Sequence, residues 1–144
     1  MNNKIPLLRL NEYKKISNIA RKKVNEILNI NIKRITYKDL SDFSELNGDD
    51  LYGYTIINKN TKSIIILLDN IYKIELKEGK DAAKRLIVET IFHEARHLWQ
   101  INNVFNKYNI TIKDSNILWM IENDAYQFTY NNLNIINEIL NRNN

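Results

Sequence analysis

Two histidines, His93 and His97, stand four residues apart with a glutamate directly after the first, in the run His93-Glu94-Ala95-Arg96-His97, and the chain has no other histidine. On a helix, positions i and i+4 lie about 40° apart around the axis, so the two imidazoles project from one face and their ring nitrogens can converge on one ion. Glu94, about 100° further round, can flank that ion without binding it. The pattern is H-E-x-x-H, in which two histidines hold zinc and the glutamate serves as a general base.

A catalytic zinc needs three protein ligands and an open position. The chain has no cysteine, so disulfides, thiol catalysis and thiolate-held metals are excluded, and with histidine used up the third ligand falls to a carboxylate. Glu122 is the first candidate. It lies in Leu118-Trp119-Met120-Ile121-Glu122-Asn123-Asp124-Ala125-Tyr126-Gln127-Phe128, where Leu118, Ile121, Ala125 and Phe128 recur at helical spacing and place Glu122 within an apolar face. A lone carboxylate there is unfavourable without a cation. Asp124 points toward the polar side and is the alternative ligand, or a partner to one.

These residues need elements to carry them. From Asn11 to Ile30, apolar residues at Tyr13, Ile16, Ile19, Ala20, Val24, Ile27 and Leu28 predict an amphipathic helix. Ile32 to Tyr37 reads as a short strand, and Asp39 to Tyr54 as a loop. Tyr54 to Ile57 and Ser63 to Leu68 flank a polar segment in a hairpin pattern, the second run being covered on both faces. Asp81 is the expected N-cap of a helix reaching about Asn102, which carries the histidines. Its stripe of Ala83, Ile87, Ile91, Ala95 and Leu98 is expected to face the core, with Arg85, Glu89, Arg96 and Gln100 on a solvated face. Ile110 to Ile112 is too short to assign. Asp114 or Ser115 caps a last helical region from about Asn116 to Asn141, with a break near Asn131-Asn132.

At 144 residues the chain suits a single domain, residues 1–144, able to bury about two thirds of its unfolded surface. Apolar residues make up 44%, but no run approaches the length of a bilayer span, and the amino-terminal residues lack an apolar leader pattern, so the expectation is a cytoplasmic protein without a membrane partner. The net charge of +4 is spread along the chain. Lys14-Lys15 and Arg21-Lys22-Lys23 read as a solvated helix face rather than a nucleic-acid surface.

His93-Glu94-Ala95-Arg96-His97 followed by Glu122-x-x-Ala125-x-x-Phe128 resembles the gluzincin metallopeptidases, particularly the small ImmA/IrrE-like proteins, over about Ile87 to Phe128. The resemblance implies an α+β fold, a compact minimal zincin-like domain in which a small antiparallel-containing sheet packs against the active-site helix and a C-terminal glutamate helix. It implies one Zn2+ per chain held by His93, His97 and Glu122, with Glu94 as base. Tyr126 departs from the family, which usually has Asn or Asp there, and Thr129 stands where Ala is common.

The function expected on this basis is a zinc-dependent endopeptidase that cuts a peptide bond in a restricted protein target, the partner being that protein or peptide, for instance a regulatory protein. Glu94 would pass a water proton to the leaving amine, and Tyr126, Tyr130 or Tyr108 would serve as oxyanion donor. An extended substrate would pair with the edge strand Tyr54 to Ile57. Trp99 and Trp119 read as core or cleft-wall packing. The alternative is a catalytically weak zincin-fold module for regulation or protein binding, with nucleic-acid binding behind both. Purified protein is expected to carry about one zinc per chain by elemental analysis, and a metal-free preparation that resists zinc loading would defeat the site assignment.

Overall fold

The computed structural model describes residues 4–38, 52–57, 62–105 and 115–143. Helix α1 (Leu7–Leu28) buries Tyr13, Ile16, Ala20, Val24 and Leu28 along one stripe. It starts at Leu7 rather than Asn11 because Pro6, at φ −57°, presets the first turn and its carbonyl accepts the Leu10 N–H. Leu7 and Leu8 are exposed and so carry no core periodicity. Asn29, in the left-handed region at φ 51°, ends the helix.

Strand β1 (Arg34–Lys38) begins later than Ile32. Ile32 is fully buried, but the Asn25 side chain takes both its N–H (2.9 Å) and its carbonyl (3.0 Å), and Arg21 donates to the same carbonyl. Its backbone is thereby removed from any ladder. Strands β2 (Gly53–Ile57) and β3 (Lys62–Leu67) form the expected hairpin, paired antiparallel from Gly53 against Ile66 to Ile57 against Lys62. β1 pairs parallel with β3, so the sheet is mixed, in the order β1-β3-β2. The central place of β3 accounts for its unbroken apolar run, with Ile64, Ile65, Ile66 and Leu67 all buried. The polar turn, the loop residues 39–51, Ile110 to Ile112 and the cap at Asp114 lie outside the described residues.

Leu68 does not extend the strand. It opens α2 (Leu68–Glu78), a helix the sequence reading did not assign, which buries Leu68, Asn70 and Ile71. Strand and helix share one apolar stretch, so periodicity does not mark the junction. Gly79, at φ 101°, separates α2 from α3 (Lys80–Gln100) and is itself the N-cap position. Asp81 therefore lies within the first turn of α3, where a carboxylate complements the helix dipole, and is not the cap. The α-helical form stops at Gln100 and runs on as a π-helical turn, Ile101–Phe105. Helix α4 (Ser115–Asn131) and helix α5 (Leu133–Arg142) are divided at Asn132, whose side chain donates to the Phe128 carbonyl and whose own carbonyl accepts the Ile136 N–H.

Helix α3 contacts α1, α2, α4, α5 and both hairpin strands. Ala83, Ile87, Val88, Ile91, Phe92, Ala95 and Leu98 are buried in one core with the α1 stripe, Ile64, Ile66, Ile71 and the α5 residues Ile136, Ile139 and Leu140. Lys84, only 4% exposed, is paired with Glu12 of α1 at 3.1 Å, and Tyr13 donates to Glu75 of α2 beside Arg9. Among the described residues no helix is long and apolar enough to cross a membrane.

The seat of β2 on α3 depends on Gly53. A Cβ at that position would lie 2.7 Å from the Ile65 carbonyl oxygen and 2.7 Å from Thr90 Cγ2, and the first of these belongs to the partner strand and cannot swing aside. Gly53→Ala is expected to destabilise the protein by roughly 1–3 kcal/mol, read as a thermal midpoint several degrees lower. An unchanged midpoint would show that β2 sits less tightly than described.

Candidate metal centre

His93 and His97 occupy successive turns of α3, with side chains 15% and 16% exposed. Helix α4 crosses them closely. Ala125, fully buried, presents only a methyl group at the crossing, and Phe128 stacks on Phe92 with ring centroids 6.0 Å apart. Glu122, one turn before Ala125, is thereby brought to the histidines: its Oε1 lies 2.7 Å from His97 Nε2 and its Oε2 3.3 Å from His93 Nε2, while the two Nε2 atoms are 3.1 Å apart. Around a tetrahedral zinc with bonds of about 2.0–2.1 Å, neighbouring donor atoms are about 3.3 Å apart. Two imidazole nitrogens and a carboxylate at these separations are a donor set that suits zinc. Burial, and then the adjacent His97, push the His93 pKa down, against the pull of Glu122. The neutral ring that a metal requires is therefore the favoured form.

Glu94 is tied to β2. Its Oε2 accepts a hydrogen bond from the Thr55 hydroxyl at 2.5 Å. One donor atom each from His93, Glu94 and His97 falls within 4.8 Å of the others, so the carboxylate stands beside the histidine nitrogens with one oxygen already engaged. Burial holds the Glu94 carboxyl above the usual carboxylate range, the Thr55 hydrogen bond and His97 acting against that shift. An upward shift makes the carboxylate a better proton acceptor than an ordinary glutamate.

Asp124 is not at the histidine nitrogens. It accepts from Arg96 Nε (2.8 Å) and Nη2 (3.3 Å) and from Gln100 Nε2 (2.7 Å). The Arg96 hydrogen bond keeps its carboxyl below the usual range, against burial, with Gln100 adding to the effect. Gln100 also donates to the Ile121 carbonyl at 3.0 Å, and its Oε1 lies 2.9 Å from His97 Nδ1. Arg96 and Gln100 therefore do not form a solvated face. Gln100 is 4% exposed, and the Arg96 guanidinium lies 3.8 Å from the centre of the Trp99 ring, because α4 covers the carboxy-terminal turns of α3. Arg85 and Glu89, nearer the amino-terminal end, stay half-exposed.

The Tyr126 ring tilts against His93 with centroids 4.5 Å apart. It borders a cavity of about 290 Å³ that reaches His93 and Glu94 between Tyr52, Leu86, Thr90 and Thr129. Tyr130 is exposed and does not line that cavity, and Tyr108 lies outside the described residues. Leu118 and Trp119 are exposed instead of packed. Thr55 and Gln100 are the site residues that sequence reasoning missed. Gln100 carried a signal, three residues after His97 on the same helix. Thr55 carried none.

Compared with protein-family models, curated proteins and solved structures, the chain matches none. Glu122→Ala is expected to abolish tight zinc binding, while Asp124→Ala weakens it only in the roughly 10–100-fold range of a residue behind a ligand. Zinc titration against a competing chelator reads both, and the opposite ranking would make Asp124 the ligand.

Proposed function

We propose that this protein is a zinc-dependent metallopeptidase of the gluzincin type, related in its site to the ImmA/IrrE-like proteins, acting on a polypeptide. The observation that carries this reading is the meeting of His93, His97 and Glu122 from two helices, with the half-buried Glu94 carboxylate beside them. His93, His97 and Glu122 would hold the metal, and a bound zinc supplies Lewis acidity that lowers a water's pKa toward neutrality and polarises a carbonyl. Glu94 accepts the water proton on its carboxylate and delivers it to the leaving amine. Thr55 fixes the direction of that carboxylate through its hydroxyl. Tyr126, whose ring lies against His93 and borders the cavity, is the residue we assign as donor to the developing oxyanion.

A polypeptide substrate is supported by the surroundings. Trp119 and Tyr126, 68% and 64% exposed, fall on the same side of α4 as Glu122 by helical spacing and leave apolar surface there. Among the described residues β2 is an edge strand of the sheet, the kind of position where an extended chain adds as a further strand, and the cavity beside Gly53 has room for one side chain of that chain. The same apolar surface favours the second reading, a zinc-holding protein-binding module without turnover.

Incubating the zinc-loaded protein with a peptide library, and sequencing new termini by mass spectrometry, separates the two. Wild type is expected to generate new termini, and Glu94→Gln to hold as much zinc yet generate none. Equal cleavage by the Gln variant would remove Glu94 from the base role. A wild-type protein that holds zinc and cleaves nothing would favour the binding module.

A further inference from the structure

We infer that Gln100 is the positioning residue for His97, committing its Nε2 lone pair to the metal, and that Asp124 and Arg96 lock the Gln100 amide in the orientation that does this. The inference rests on the metal-site reading above, and concerns how the chain prepares one ligand.

The two ends of a glutamine amide are told apart by their partners. Gln100 Nε2 faces two groups that can only accept, the Asp124 carboxylate and the Ile121 carbonyl. Turning the amide over would set its oxygen against both, so Oε1 is the atom facing His97 Nδ1. An amide oxygen cannot donate, so Nδ1 carries the hydrogen. In a neutral imidazole the lone pair is then on Nε2, the atom that meets His93 Nε2 and Glu122. Without that acceptor, His97 could carry its hydrogen on Nε2 and give it to Glu122, closing the donor set to a cation.

The lock has further layers. Gln100 is 4% exposed, so water cannot replace a lost partner. Asp124 is held through two Arg96 nitrogens, and the Arg96 guanidinium lies over the Trp99 ring at 3.8 Å and 5.2 Å from the Phe128 centroid. The ordered path Trp99–Arg96–Asp124–Gln100–His97 joins α3 to α4 at the level of the histidines.

The test compares wild type, Gln100→Leu, and the conservative variant Asp124→Asn, whose amide oxygen can still accept from Gln100 Nε2 and Arg96 Nε. Two measurements are made with zinc: the dissociation constant by chelator competition, and the slowly exchanging Nδ1–H proton resonance of His97 in the loaded protein. Gln100→Leu is expected to weaken zinc binding about 10–100-fold and to lose the resonance, while Asp124→Asn stays within a few-fold of wild type and keeps it. A leucine variant that binds like wild type, or an asparagine variant that loses the resonance, overturns the inference and leaves the metal site standing. A wild type that takes up no zinc overturns both.

Discussion

A helix enclosed on most of its circumference must find a partner for each polar group it buries, because an unmatched one costs roughly 1–3 kcal/mol. Helix α3 is under that constraint along its whole length. It places Lys84, His93, Glu94, His97 and Gln100 among or beside Ile87, Val88, Ile91, Ala95 and Leu98. Each polar group is answered from outside α3: Lys84 by Glu12 of α1, Glu94 by Thr55 of β2, and the histidines and Gln100 by Glu122 and Asp124 of α4. The surrounding elements are tied to α3 by its polar groups as well as by its apolar stripe.

Small residues set how close those elements come. Gly53 lets β2 lie against Thr90 and the Ile65 backbone, which puts Thr55 within reach of Glu94. Ala125 does the same for α4 and brings Glu122 to the imidazoles. A larger side chain at either position would move a partner of the α3 polar groups by more than a hydrogen bond tolerates. The buried wall of α3 next to the site has little freedom to shift, since the residues behind it are close-packed.

The outer side of the site is built differently. Tyr126 touches His93 and yet is mostly exposed, leaving apolar surface at the rim of a cavity that reaches Glu94. The donors are thus held on the packed side while the outer rim stays accessible to solvent.

The residue types and spacings near the site were legible in the sequence because they depend on helix geometry alone. His93 and His97 share a face through the i, i+4 rule, and Ala83, Ile87, Ile91, Ala95 and Leu98 are buried as their period requires. The hairpin and the break at Asn132 were likewise local. Other features escaped because apolar period does not report them. The start of β1 was set by the side chains of Asn25 and Arg21 capturing the Ile32 backbone, α2 was hidden in an apolar run shared with β3, and Leu118 and Trp119 are apolar yet exposed. By itself, the sequence determined which side chains stand together on each helix and that cysteine plays no part. Only the tertiary structure decided that Glu122 meets the two imidazoles while Asp124 turns to Arg96 and Gln100, since helical period places a residue on a face but the crossing of two helices decides what that face meets.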